Sequence, residues 1–222
     1  MTFSVRLVVL LGLLLAAMMA LAENVAAADA SAHQVVRDAT QQVMDVVVEA
    51  DAYADEDPER YYQEVQAILD PVIDYRGFAR GVMGPYATSE RYRSLDEAGR
   101  AQLRAQLDRF TEVMRLGLVR TYSKGLLAFG GSRIEVDEPA EEDKGKSKVS
   151  VRQLVSSDEA EPSVLFYQMG QAKGGTWTLR NVIIESVNLG EIYRNQFQAA
   201  AREHDGNLDT VIDTWTPVEV DT

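Results

Sequence analysis

Between Ala30 and Ala50 the residues Ala32, Val35, Val36, Ala39, Val43, Val46, Val47 and Ala50 recur at spacings of three and four, which predicts an amphipathic helix. Asp57-Pro58 sets an N-cap residue before a proline at the first helical position and opens a short helix through Leu69. Asp70-Pro71 repeats the device. It predicts a broken helical stretch carrying Val72, Ile73, Tyr75, Phe78, Val82 and Met83 and ending at Gly84-Pro85. A third long element starts near Asp96 and runs to about Phe129. Leu103, Leu107, Phe110, Met114, Leu118, Tyr122, Leu126 and Phe129 step along it three or four at a time, over roughly 50 Å of helix.

After Gly130-Gly131 the period changes from helical to alternating, with Ile134 and Val136 set between Arg133, Glu135 and Asp137. Strands are expected around Val149 to Val155, Val164 to Met169 and Trp177 to Val187, with Glu141 to Lys148 as a charged hairpin loop and Gly174-Gly175 as a turn. In the strand at Val164 both alternating sets are largely apolar, which predicts a sheet covered on both faces. Asn188 caps a helix from Leu189 to Glu203, and Asn207 another from Leu208 to Trp215. Helices first and antiparallel strands second make one α+β domain, with no internal repeat or second core.

The 222 residues carry 46% hydrophobic side chains, enough for a real core. Residues 1–22 read as a cleaved secretory signal peptide. Arg6 is the positive region, Leu7 to Leu15 the apolar run, and Ala20-Leu21-Ala22 the cleavage signal, with Ala26-Ala27-Ala28 as a second site. The expected mature domain is therefore 23–222. It has 21 basic against 35 acidic residues, a formal charge of −14, and no later apolar run of about 20 residues. Acidity of this size argues against nucleic acid and against adhesion to anionic bilayers. No stable membrane anchor is expected after cleavage.

The absence of cysteine excludes disulfides, thiol nucleophiles, Cys-based zinc or iron–sulfur sites and a lipoprotein anchor. His33 and His204 sit at opposite ends of the mature chain and read as solvated surface residues rather than metal ligands. No Gly-x-Ser-x-Gly elbow or phosphate loop occurs. No spacing singles out a catalytic carboxylate pair. The arginines of the long helix, Arg100, Arg104, Arg109, Arg115 and Arg120, fall mostly off its apolar stripe and read as solvated or acid-paired. Arg76 or Arg80 is placed to meet a phosphate.

Two stretches carry a recognisable pattern. Asp74-Tyr75-Arg76-Gly77-Phe78-Ala79-Arg80-Gly81-Val82-Met83-Gly84-Pro85-Tyr86 precedes the long helix. Trp177-Thr178-Leu179-Arg180-Asn181-Val182-Ile183-Ile184 runs into Asn188-Leu189-Gly190-Glu191-Ile192-Tyr193-Arg194-Asn195-Gln196-Phe197. With Thr121-Tyr122 and Asn207-Leu208-Asp209 between and after them, they resemble the MlaC family of periplasmic phospholipid-binding, toluene-tolerance proteins. The resemblance implies N-terminal helices packed around a C-terminal, strongly curved antiparallel sheet, a nuclear-transport-factor-like cone enclosing an apolar cavity. It implies a non-enzymatic periplasmic carrier of glycerophospholipid, without a cofactor or a metal. Its implied partners are an inner-membrane ABC transporter complex with a mammalian-cell-entry-type domain and an outer-membrane lipoprotein complex.

Periodicity cannot separate a cavity lining from a filled core, because both use the same Val, Leu, Ile, Tyr and Met. Given the resemblance, the lipid-lining candidates are Phe78, Val82 and Tyr86 from the broken helix and Met114, Leu118 and Tyr122 from the long one. The sheet adds Val151, Leu165, Tyr167, Leu179 and Ile184. Two rivals stand beside the carrier. One is an isomerase or dehydratase with a buried carboxylate in the cavity. The other is an adaptor whose interior is simply filled.

Overall fold

A computed structural model describes residues 30–127, 130, 132–157 and 161–217. The signal peptide with both cleavage sites, and the expected helix end at Phe129, lie outside the described residues.

The first helix, α1 (Ala32–Ala50), starts where the Ser31 hydroxyl accepts from the Gln34 N–H. α2 (Pro58–Leu69) has Asp57 as its cap and proline in its first turn, as the sequence predicts. Asp70-Pro71 opens no helix. Asp70 instead ends α2, and the cap of α3 (Tyr75–Met83) is Asp74, which accepts from the Gly77 N–H at 2.9 Å. The reason is tertiary. Ile73 forms a parallel bridge with Leu179, and the Asp74 N–H donates to the Leu179 carbonyl, so the chain is held extended there. Gly84, at φ +55°, closes α3. A 3₁₀ turn (Gly84–Ala87) and the short helix α4 (Ser89–Ser94) lead into the 31-residue α5 (Glu97–Leu127).

Among the described residues, five antiparallel strands follow in sequence order as one open sheet: β1 (Arg133–Val136), β2 (Lys148–Ser156), β3 (Ser163–Gln171), β4 (Trp177–Ile184) and β5 (Val187–Asn188). The expected continuous strand from Trp177 to Val187 is broken. Glu185 and Ser186 both take positive φ, a two-residue turn that folds β5 back on β4. The Asn188 side chain then accepts from the Glu191 N–H to start α6 (Leu189–Glu203), and Asn207 caps α7 (Leu208–Asp213).

The core is divided into three apolar clusters. In the first, α3, α5, α6 and α7 pack around Phe110, Met114, Tyr193 and Phe197. The second joins α1, α2 and α5 through Val43, Val47, Tyr61, Val65 and Val119. The third sets the start of α1 against Val151, Met169 and Trp177 on the inner sheet face. The outer face is not covered as expected. There the register pairs Leu154 with Val164 and Phe166 with Ile183, and Phe166 remains 36% exposed. The apolar outer residues shield one another across strands instead of meeting a second layer.

Candidate functional site: an apolar cavity between the clusters

Where the three clusters meet, packing is incomplete and leaves a cavity of about 130 Å³. Val65 and Leu69 of α2, Ile73 of the linker, Tyr75 and Phe78 of α3, and Leu118, Val119, Tyr122, Ser123 and Leu126 of α5 form one side. Residues 179–182 of β4 and Leu189 of α6 close the other. The bulge between Gln168 and Met169 shapes β4 here, leaving Arg180 as the extra residue of that strand.

The polar groups near the cavity are mostly paired. The Tyr122 and Tyr193 hydroxyls lie 2.7 Å apart, and the Tyr193 ring meets Phe78 edge to face. The Tyr61 hydroxyl donates to the Ser123 carbonyl at 2.9 Å, and Gln66 Nε2 donates to the Tyr75 hydroxyl at 3.2 Å. Arg180 turns its guanidinium to Asp74, 2.8 Å away. Asn181 spends its amide on Gln168, Asn188 and the Gly190 N–H. Burial pushes the Tyr61 and Tyr75 phenols up to about 12, and burial plus the bond to Tyr122 pushes Tyr193 further still. These rings are neutral at physiological pH. Among the described residues that line the cavity, Arg180 is ionisable and none is Asp, Glu, His or Lys, so the buried carboxylate that an isomerase site would use is not found among them.

Of the residues named from sequence, Phe78, Leu118, Tyr122 and Leu179 line this cavity. The other seven do not. Val82 and Met114 are fully packed into the α3–α5–α6 cluster. Tyr86 and Ile184 pack on the same cluster, Tyr86 with its ring 6.0 Å from Phe197. Val151 and Tyr167 belong to the cluster under α1, and Leu165 lies in the sheet beside Gln153 and Ile184. The cause is the length of α5: Met114, Leu118 and Tyr122 pack on the first cluster while Val119, Leu126 and Leu127 pack on the second, so neighbouring positions have different fates. Eleven of the described lining residues were not among the candidates, including Val65, Leu69, Ile73, Tyr75, Ser123 and Leu126. Tyr75 and Leu126 stood on the predicted helical stripes, and Val65 and Leu69 lie four apart on one face of α2.

Other expectations resolve plainly. His33 is not solvated: it is 4% exposed. Burial lowers its pKa against the opposing pull of Asp143. Arg109 pairs with Asp209 and Asp213, Arg115 with Asp70 and Glu112, and Arg120 with Glu59. Arg76 pairs with Asp108, and neither Arg76 nor Arg80 lines the cavity. A wider trough of about 660 Å³ runs between α1 and the free edge of β1. Arg37, Asp45 and Glu135 on its walls make it a mixed surface groove, unsuited to an apolar ligand.

The family model described as "MlaC protein" matches residues 37–217, nearly the whole described domain. The chain belongs to the MlaC family. The toluene tolerance protein ttg2D of Pseudomonas putida is 30% identical to it over 184 residues, 82% of this chain and 79% of that one. A phospholipid-binding protein from Ralstonia solanacearum, solved in complex with a phospholipid, superposes with a TM-score of 0.63 at 19% identity. The match covers 83% of this MlaC-family chain and 96% of that chain, and it establishes the shared α+β fold. Among the described residues, no helix is long and apolar enough to cross a membrane.

Proposed function

We propose that this MlaC-family protein is a periplasmic carrier of glycerophospholipid. It would exchange its cargo with an inner-membrane ABC transporter complex bearing a mammalian-cell-entry-type domain and with an outer-membrane lipoprotein complex. The observation that carries the reading is an apolar cavity at the junction of three clusters, in a family whose fold is seen elsewhere with a phospholipid. Each buried methylene is worth about 0.8 kcal/mol, so one acyl chain contributes on the order of 10 kcal/mol before ordering costs. A two-tailed lipid held this way leaves into water very slowly, and release calls for docking that replaces water with an apolar path.

At about 130 Å³ the cavity is smaller than the ~300 Å³ at which small-molecule sites begin. Loading therefore requires its walls to part, and the seam where the clusters meet is the place where the least packing is lost. The same small volume favours the filled adaptor as the second reading. Native mass spectrometry with lipid extraction of freshly purified protein decides between them. Co-purifying phospholipid in stoichiometric amount is expected, and protein free of lipid that takes none up from detergent-solubilised phospholipid would overturn the carrier.

A further inference from the structure

Ser123 stands out in the cavity wall. It is 1% exposed, it lies two-thirds along the otherwise apolar lining stretch Leu118 to Leu126, and its Oγ is buried without a hydrogen-bond partner. A mid-helix serine can satisfy its hydroxyl by donating back to the carbonyl one turn earlier. Here that bond is not made, although the Ser123 carbonyl is itself engaged by the Tyr61 hydroxyl. A buried hydroxyl left unpaired is costly, so a group that pairs with it on entering the cavity gains what the empty protein lacks.

We infer that the Ser123 hydroxyl donates to an acyl-ester carbonyl of the bound lipid, so that the cavity selects esters over ethers. This deepens the carrier reading and rests on it. The chemistry of the wall sets the class of ligand. A water held there would want two to four polar partners, and the Tyr122 hydroxyl, the nearest other lining hydroxyl in sequence, is already bonded to Tyr193. A charged head group finds one ionised side chain in the described lining, Arg180, and that guanidinium is already held by Asp74 at 2.8 Å. An ester carbonyl brings one strong acceptor flanked by methylenes, which matches one hydroxyl flanked by Val119, Tyr122 and Leu126. A diether phospholipid of the same chain lengths has the same apolar bulk but no carbonyl, and would leave the hydroxyl unpaired.

The test uses the whole protein, stripped of lipid and offered an equimolar mixture of diester phosphatidylethanolamine and its diether counterpart with the same chains. Bound species are counted by native mass spectrometry. Wild-type protein should take the diester in about tenfold excess, and Ser123→Ala should take the two in equal amounts. Equal loading of wild type with both lipids overturns the inference and leaves the carrier reading intact, and this arm needs no substitution. A diester preference that survives in Ser123→Ala also overturns it, by assigning the preference to another group. Uptake of neither lipid by wild type overturns the carrier reading itself.

Discussion

Tyr122 of α5 and Tyr193 of α6 meet hydroxyl to hydroxyl at 2.7 Å, one ring lining the cavity and the other fully buried behind it. The pair ties the cavity wall to the largest core cluster, and Phe78 packs edge-on against Tyr193 from α3. Tyr193→Phe should destabilise the protein by about 1 kcal/mol, with Tyr122→Phe costing a similar amount. The double variant should cost clearly less than the sum, since the second removal loses a bond already gone. Urea melts of the four proteins check it, and strict additivity would show that the hydroxyls are not coupled.

Alkaline pH should unfold the protein earlier than its acidic composition alone suggests. The Tyr61 and Tyr75 phenols are raised to about 12 by burial, and Tyr193 beyond them. A raised phenol keeps its proton when folded and loses it near pH 10 when unfolded, so stability is fully present below pH 10 and falls as pH rises through 10 to 12. Each such ring can contribute up to about 1.4 kcal/mol per pH unit in that window. Stability that stays flat from pH 9 to 11.5, followed by urea midpoint, would contradict it.

Core and wall should respond differently. Met114 is fully enclosed, so Met114→Ala should cost about 2–4 kcal/mol while leaving lipid uptake by the folded fraction unchanged. Leu118 lines the cavity only four residues on, and Leu118→Glu should abolish lipid retention by setting a charge in an apolar wall. Glu142→Ala, on the exposed 3₁₀ turn (Glu141–Asp143) of the hairpin, should do neither. Lipid retention equal in Leu118→Glu and Glu142→Ala would move the site elsewhere.

Two glycines of one helix should behave oppositely to their shared propensity. Around Gly81 nothing lies within 4 Å of an added Cβ, so Gly81→Ala should stabilise by about 0.5–1 kcal/mol. At Gly77 the same Cβ would collide with Asp74 Oδ2, part of the carboxylate that caps α3 and holds Arg180. Gly77→Ala should forfeit the cap and end about 1 kcal/mol below Gly81→Ala. Thermal melts of both variants distinguish this from a uniform helix-propensity gain.

Transfer should need a partner. With an expected mature charge of −14, the loaded protein should bind anionic liposomes negligibly and keep its lipid among them. Adding the mammalian-cell-entry-type ring domain should release it, read as fluorescent lipid leaving the protein. Rapid exchange with liposomes alone would remove the need for docking.

Element identity was largely readable. Asp57, Asn188 and Asn207 act through their own side chains on the next turn, and the first helix shows in its three-and-four spacing, so these helices were visible without any tertiary contact. Asp70 and Asp74 were not separable in this way. Both are aspartates at a helix boundary, and only the bridge from Ile73 to Leu179, across more than a hundred residues, makes Asp74 the cap. The turn at Glu185-Ser186 was hidden because neither residue advertises positive φ.

The sequence by itself determined the amphipathic helices, the alternating strands and the motifs that mark the family, because each depends on spacing or on a side chain reaching only a turn away. Which apolar residues fill the core and which surround the cavity was decided by the tertiary structure alone. Met114 and Leu118 share one stripe of α5, yet one is sealed against α3 and α6 while the other faces the seam between clusters. Burial in either place calls for the same kind of side chain, and only the arrangement of the neighbouring helices and β4 distinguishes a wall from a filling.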